Sequence, residues 1–391
     1  MKICLLSCFD DLMKRDTGSS IRIYNLAKGL VNLGHNVSII IPGNKDCCKN
    51  VDGISIYEIK GFFPEKLLHF LSHSLGILRS RSLYVYDPIF IGKALSVMFT
   101  SHIIQIEQPW TGGILIPSLM RIMRKTFVVD SHDVFQPLKI KRNRIRMLIE
   151  IFLERLAYSF SKLILTVSKD EKSLLVNYGI KAEKIAIVPN GVDTLIFKPS
   201  SVNLTKNKTS TKFRIIFVGN MEYSPNQQAV QVISSIIAPD VCKKMRNVEF
   251  VIVGRVPSQL RFKHSNLKFV GVVDDVAKEL EKSHIAIAPI LKGSGTRLKI
   301  LEYFSCGLPV ISTKIGAEGL DVENGVHIII EDDIENFADK IMLLLNNKNL
   351  ARKIGKAARK LVVTKYDWQS IVKKLNKIYL SILAQRCLGK R

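Results

Sequence analysis

The chain has 391 residues, enough for two or three domains, each with its own core. A hydrophobic fraction of 47% and a charged fraction of 24% exclude a disordered chain. The formal net charge of +24, spread over both halves, favours anionic partners: a sugar nucleotide, an anionic lipid surface or a nucleic acid.

Seven cysteines without a CxxC pair make neither a disulfide framework nor a zinc site, so a reducing cytosol is expected. The apolar run after Lys2 is broken by Asp10 and Asp11, too early for a secretory leader. No apolar run approaches the ~18 residues that cross a bilayer. The expectation is a cytoplasmic protein, peripheral at most on the inner face of the cell membrane.

Short apolar runs predict strands at Ile3–Leu6, Val37–Ile41, Ile54–Ile59, Leu83–Tyr86, Ile103–Ile106, Phe127–Val129, Leu163–Val167 and Ile185–Val188. Helical spacing predicts helices at Ser19–Leu33, Phe90–Phe99, Ile145–Phe160 and Lys169–Tyr178. The polar stretch Lys198–Lys212 reads as a linker. After it the alternation resumes, with strands at Phe213–Val218, Val248–Val253, Leu267–Phe269, Ile285–Ala288, Pro309–Ile311 and His327–Ile330. Asp367 caps a final helical pattern to Leu383. Alternating β and α with fully apolar strands predicts an α/β fold of parallel sheets covered on both faces.

The most informative stretch is Leu291–Gly319, LKGSGTRLKILEYFSCGLPVISTKIGAEG. Gly293 and Gly295 form a turn that opens into a helix carrying Arg297, Lys299 and Glu302, with Leu298, Leu301 and Phe304 on its apolar face. Backbone N–H groups and the positive end of a helix dipole converge there beside two cations. Such a place suits a nucleoside diphosphate, leaving Glu302 to accept hydrogen bonds from ribose hydroxyls.

Three further junctions matter. Thr17-Gly18-Ser19-Ser20 lies between the first strand and helix, where Gly18 permits positive φ and the serines can cap. Asp130-Ser131-His132-Asp133 follows a strand at the sheet edge where open α/β proteins bind ligands, and singles out His132. Gly254-Arg255 ends another strand, from which Arg255 can reach a base or phosphate. A basic cluster, Lys139, Lys141, Arg142, Arg144 and Arg146, precedes the apolar-rich Met147–Leu156 and suits an anionic membrane surface. D-x-D, HExxH, GxSxG and GxxxxGK[ST] are absent, against metal–diphosphate, zincin, α/β-hydrolase and P-loop chemistries.

The stretch Leu291–Gly319, with Leu165–Lys169 and Ile187–Asp193, resembles the glycosyltransferases of the GT-B fold, in particular glycosyltransferase family 4. The resemblance covers nearly the whole chain. It implies two Rossmann-like domains facing across a cleft: an acceptor-side domain at 1–197, a linker at 198–212 and a nucleotide-sugar-binding domain at 213–365. It also implies a C-terminal helix, 366–391, that crosses back to the first domain. The implied reaction moves a sugar from a nucleotide-diphosphate sugar to a hydroxyl of a glycan or lipid-linked acceptor. It retains configuration and uses no metal or other cofactor.

In those terms Glu302 holds the ribose, Arg297 and Lys299 the diphosphate, and His132 lies close to the transferred sugar. Gly18 lies in a loop near the donor phosphates and acceptor. Two departures stand out. The Arg and Lys expected after Gly219 are replaced by Asn220 and the Ser224-Pro225-Asn226 stretch, so Arg297 and Lys299 are expected to take over the diphosphate. Ser294 stands where a second glutamate, eight positions before Glu302, is usual. The alternatives are a non-hydrolysing sugar-nucleotide 2-epimerase of the same architecture and a basic polyanion-binding protein. Without a recognised nucleic-acid motif, no nucleic-acid partner is expected.

Overall fold

The structure is a computed structural model that describes residues 1–8, 12, 17–64, 67, 68, 70, 80–109, 115–132, 144–199, 212–257, 266–293 and 295–388. It divides into two compact units: Met1–Pro189 with Ile371–Arg391, and Asn190–Ser370.

In the first unit, strands β1 (Lys2–Leu6), β2 (Asn36–Gly43), β3 (Cys47–Val51), β4 (Ile54–Lys60), β5 (Ile103–Glu107), β6 (Thr126–Ser131), β7 (Leu163–Thr166) and β8 (Ile185–Ile187) form one sheet. Their order is β3-β4-β2-β1-β5-β6-β7-β8. Every pairing is parallel except β3 with β4. The apolar runs that predicted these strands are buried because helices cover both faces of the sheet. Helix α1 (Gly18–Asn32) shows how: Ile23, Leu26, Ala27 and Leu30 recur at helical spacing and are buried. Helices α2 (Pro88–Phe99), α3 (Leu115–Ile122), α4 (Arg144–Phe160) and α5 (Lys169–Asn177) complete the alternation.

Two expectations fail here for local reasons. Leu83–Tyr86 is not a strand but part of a 3-10 segment, Ser80–Tyr86. Asp87 and Pro88 behind it start α2, the Asp87 carboxylate accepting from Ile89 and Phe90 N–H groups at 3.0 Å each. The mostly exposed β3, CCKNV, has no apolar signature to predict it and owes its extended form to pairing with β4.

The second unit holds β9 (Phe213–Val218), β10 (Val248–Val253), β11 (Leu267–Gly271), β12 (Ile285–Ala288), β13 (Val310–Ser312) and β14 (Ile329–Ile330). They form a wholly parallel sheet in the order β11-β10-β9-β12-β13-β14. Around it lie α6 (Ser224–Val232), α7 (Ala238–Lys244), α8 (Val276–Glu281), α9 (Leu298–Ser305), α10 (Phe337–Asn346) and α11 (Lys348–Lys365). Residues 190–197, expected with the first domain, pack with the second unit. Val192 N–H donates to Tyr366 O, and the Arg359 guanidinium donates to the carbonyls of Thr194, Phe197 and Ser305.

Helix α12 (Trp368–Leu388) carries the chain back, and from Ile371 onward it belongs to the first unit. Val372 fills the space beside Gly29 of α1, where a Cβ would come within 2.4 Å of it. His35 Nε2 lies 2.8 Å from Asn376 Oδ1, and the buried Tyr379 hydroxyl donates to Gln105 on β5. Among the described residues no helix is long and apolar enough to cross a membrane.

Candidate functional site

Both sheets reverse strand order at one place, and ligands of open parallel sheets bind at the carboxyl ends of strands beside such a switch. In the first unit the reversal lies between β1 and β5, in the second between β9 and β12.

At the first switch, polar groups replace the apolar pattern. Gln105 and Glu107 alternate along β5 and so share a face, and Glu107 pairs in register with Asp130 of β6. Arg22, one turn into α1 and 1% exposed, donates from Nε and Nη2 to the two oxygens of Asp130 at 2.9 and 3.0 Å. Its Nη1 donates to Pro189 O at 3.0 Å. Gln105 Nε2 donates to Glu107 Oε1 at 2.6 Å, and the other Glu107 oxygen lies 2.7 Å from His132 Nε2. All four polar side chains around Glu107 are buried. Burial pushes the Glu107 carboxyl up; the hydrogen bond from His132 opposes this and the charge of Asp130 adds to it.

His132 is therefore where the sequence placed it, at the end of β6, but in a setting the sequence did not reveal. Glu107 binds one ring nitrogen and so fixes tautomer and orientation. Ligand atoms of Glu107, Asp130 and His132 lie within 4.8 Å of one another, spacing that a metal ion could use. Here Asp130 is held by Arg22, and Glu107 by Gln105 and His132, so these groups form a hydrogen-bonded relay.

Gly18 differs from expectation. It is the first residue of α1 and lies outside the left-handed region. The cap is Thr17, whose hydroxyl oxygen accepts from Ser20 N–H at 3.2 Å, while Ser20 Oγ accepts from Thr17 N–H at 3.2 Å. The local backbone needs no glycine conformation, and Gly18 is simply an exposed residue in the first turn. Asp133 and Lys139, Lys141 and Arg142 lie outside the described residues, as do the side chains of Arg144 and Arg146.

At the second switch, β9 runs into Gly219 and β12 into the glycine loop. Gly293 and Gly295 have φ of 117° and 82°, which glycine adopts without cost. A Cβ at Gly293 would sit 2.9 Å from Arg297 Nη2, so the bare backbone is also what admits the guanidinium. Arg297 is 9% exposed and donates from Nη1 to Gly295 O at 2.7 Å. It occupies the cap position of α9, and no side chain caps that terminus. Ile300 N–H donates to Arg297 O at 3.0 Å, and the N–H groups of Leu298 and Lys299 ahead of it are thus left for a ligand. Tyr303 clips the helix to β9, its hydroxyl accepting from Val218 N–H at 2.8 Å.

Lys299 and Glu302 lie one turn apart, both partly buried. Lys299 Nζ donates to Asn226 Oδ1 at 2.8 Å and sits 4.1 Å from the Phe217 ring centroid. Asn226 is held in turn by donating from Nδ2 to Asn220 O at 2.8 Å. A Cβ at Gly219 would come within 2.8 Å of Nζ, so the ammonium stands against the strand end itself. Burial pulls the Lys299 ammonium down to about 7, Arg297 adding to the shift and Glu302 opposing it. Burial likewise pushes the Glu302 carboxyl up to about 7, against the pull of Lys299. Among the described residues, neither group has an opposite charge within ion-pair distance.

Arg255 stands apart from these. Its side chain is 66% exposed and 3.5 Å from Glu222, a surface pair of small energetic value. What the junction contributes is backbone: Arg255 O accepts from Met221 N–H, and a Cβ at Gly254 would fall 2.0 Å from Gly219 O. Ser294 lies outside the described residues. The groups missed from the sequence are Arg22, Gln105, Glu107 and Asn226; the one available signal was Gln and Glu alternating in an otherwise apolar strand.

Comparison with known proteins agrees over both units. Residues 17–194 match the model "Glycosyltransferase Family 4" and residues 212–347 the model "Glycosyl transferases group 1". In Homo sapiens, one subunit of phosphatidylinositol N-acetylglucosaminyltransferase is 22% identical over 407 aligned positions, covering 100% of this chain and 78% of that protein. The GPI3 subunit of the corresponding Saccharomyces cerevisiae enzyme is 23% identical, covering 93% of this chain and 80% of that one. Among solved structures, sucrose-phosphate synthase from Thermosynechococcus elongatus superposes with a TM-score of 0.73 at 17% identity, covering 98% of this chain and 99% of that one. Anabaena Alr3699/HepE in complex with UDP gives 0.73 at 15% identity, covering 97% and 100%. These likenesses of structure show the fold, GT-B.

Proposed function

Since the chain belongs to the glycosyltransferases, carrying the family 4 and group 1 domains on a GT-B fold, we propose that it transfers a sugar from a uridine-diphosphate sugar to an acceptor hydroxyl in glycolipid or cell-surface glycan synthesis. The observation that carries this reading is the charge at α9: an ammonium and a carboxylate, both pushed toward neutrality by burial and lacking ion-pair partners among the described residues, beside an uncapped helix terminus. A nucleoside diphosphate supplies the counter-charge that Lys299 lacks, with the Arg297 guanidinium beside it, and ribose hydroxyls supply donors to Glu302. Uridine is favoured because Alr3699/HepE was solved with UDP. A lipid-linked acceptor is favoured because the human and yeast relatives are named for phosphatidylinositol.

In the reaction the bond from the anomeric carbon to the diphosphate oxygen breaks, and its electron pair stays on the diphosphate. Arg297, Lys299 and the α9 terminus stabilise that charge. The acceptor oxygen bonds to the anomeric carbon, and its proton passes to the departing phosphate oxygen on the same face, which retains configuration. These cations do the work a metal does in other transferases, so the reaction proceeds without one. His132, oriented by Glu107, meets the hydroxyls of the transferred sugar. Gly18 and Arg255 are assigned no side-chain part.

A thermal-shift panel of UDP-, GDP-, ADP- and TDP-sugars tests the donor, because stabilisation follows affinity. Selective stabilisation by UDP-sugars is expected, and a flat response across the panel would remove the reading. Product analysis with donor alone should show no 2-epimer, and added EDTA should leave the rate unchanged.

A further inference from the structure

Gln108, the residue after β5, is not used by the relay described above. Three non-glycine residues among those described have positive φ: Asp52 at 51°, Arg124 at 52° and Gln108 at 72°. Asp52 and Arg124 lie exposed in turns, whereas Gln108 is 3% exposed. Its N–H donates to Asp130 O at 2.8 Å, which carries the β5–β6 ladder one rung past Glu107. Among the described residues, its side-chain oxygen Oε1 is buried without a hydrogen-bond partner. Folding alone therefore gains little from glutamine here. The backbone conformation is strained for any residue with a Cβ, and the carbonyl has given up water for nothing.

Strain and an unmet polar atom at the carboxyl edge of a strand, beside the sheet's switch point, mark a place organised for a ligand. A carbonyl oxygen needs a donor, and the donor such a substrate brings is a hydroxyl. We infer that Gln108 is a specificity-determining residue that accepts a hydrogen bond from a hydroxyl of the transferred sugar, next to His132. This deepens the proposed function and rests on its reading of His132. Glu107 holds the imidazole and Gln108 reads the sugar, so two neighbouring residues of one strand end divide positioning from recognition. Both act from fixed places, since β5 and the Asp130 carbonyl anchor them.

Two variants separate recognition from a structural role. Gln108→Gly removes the amide and relieves the left-handed backbone; Gln108→Met keeps the bulk and removes the acceptor. Calorimetric Kd values for UDP, UDP-glucose and UDP-N-acetylglucosamine are measured on the full chain, with the unliganded thermal midpoint of each variant. The expected result is unchanged UDP affinity, a Gln108→Gly midpoint at or above that of the wild type, and a five- to tenfold loss in both variants of the affinity that the sugar adds over UDP. UDP-sugar affinities equal to wild type in both variants would overturn the inference while leaving the proposed function standing. So would a loss that extends equally to UDP and follows a lowered midpoint. A wild-type chain that binds none of the three ligands would remove the proposed function and this inference together.

Discussion

The two strand-end sites use the same architecture and treat charge in opposite ways. In the first unit, Asp130 is met by Arg22 on both oxygens and Glu107 by Gln105 and His132. In the second, Lys299 rests on an amide and an aromatic face, and among the described residues Glu302 has only the distant pull of Lys299. A network that satisfies itself keeps its geometry whether or not substrate is present. A site that leaves charges unmet is destabilised when empty and gains most when the complementary charge arrives. One site is built to hold positions; the other is built to respond.

The contrast breaks most visibly by removing one cation from each side. Arg22→Met leaves the buried Asp130 without its guanidinium, with Gln105 Nε2 at 3.3 Å and His132 Nε2 at 3.8 Å beside it, and should cost the first unit about 3–5 kcal/mol, the range for breaking buried ion pairs. A calorimetric scan should show a new low-temperature transition, and an unchanged scan would mean Asp130 is solvated after all. Lys299→Met should do the reverse, leaving the unliganded midpoint the same or higher while UDP binding weakens.

Within the second site, Arg297→Ala should weaken UDP-sugar binding by about 1.5–3 kcal/mol, the worth of hydrogen bonds to a charged group. Unchanged affinity in a titration would show that Arg297 is not the diphosphate ligand.

The contrast sharpens with pH. Because the Lys299 ammonium is lowered to about 7, diphosphate affinity should fall as pH rises through 7, by up to about tenfold per unit. Binding at pH 8 should take up a proton, visible in titrations in buffers of different ionisation heat, and Lys299→Met should lose both effects. For stability the signs are opposite for the two groups. Between pH 4.5 and about 7 the folded chain holds more protons than the unfolded one at Glu302, so stability falls as pH rises. Between about 7 and 10.5 it holds fewer at Lys299, so stability rises with pH. Together they should leave a trough near pH 7 that is filled in by Lys299→Met combined with Glu302→Gln.

The smallest effect is expected at Gly219→Ala. The new Cβ meets the Lys299 ammonium at 2.8 Å and the Asn226 amide at 2.9 Å, both flexible ends that can give way. Stability should change by less than about 1 kcal/mol while UDP affinity drops severalfold, as a binding titration would show.

What could be read from the sequence followed the range of the interactions. The glycine loop and α9 were legible because their determinants sit within a dozen residues, and the parallel strands because burial on both faces leaves an apolar run. His132 was found by position alone, at the end of a strand. Its partners were not, because Arg22 meets Asp130 across 108 positions and Tyr379 meets Gln105 across 274. Nothing local to Arg22 distinguishes it from a solvated residue of an amphipathic helix. Gly18 misled for the opposite reason, as a glycine beside two serines invites a turn where Thr17 had already supplied the cap.

The path of helix α12 bears on how the protein comes into being. Tyr379 braces Gln105, and Gln105 braces both Glu107 and Asp130. During synthesis those brace residues leave the ribosome only after the whole of Asn190–Ser370, a delay on the order of ten to forty seconds at ordinary elongation rates. For that interval the nascent first unit carries two buried acids and an open flank along Gly29 and His35. Its own strands cannot close that flank, and a truncated piece ending at Pro189 should need a chaperone or a supplied α12 peptide to become soluble.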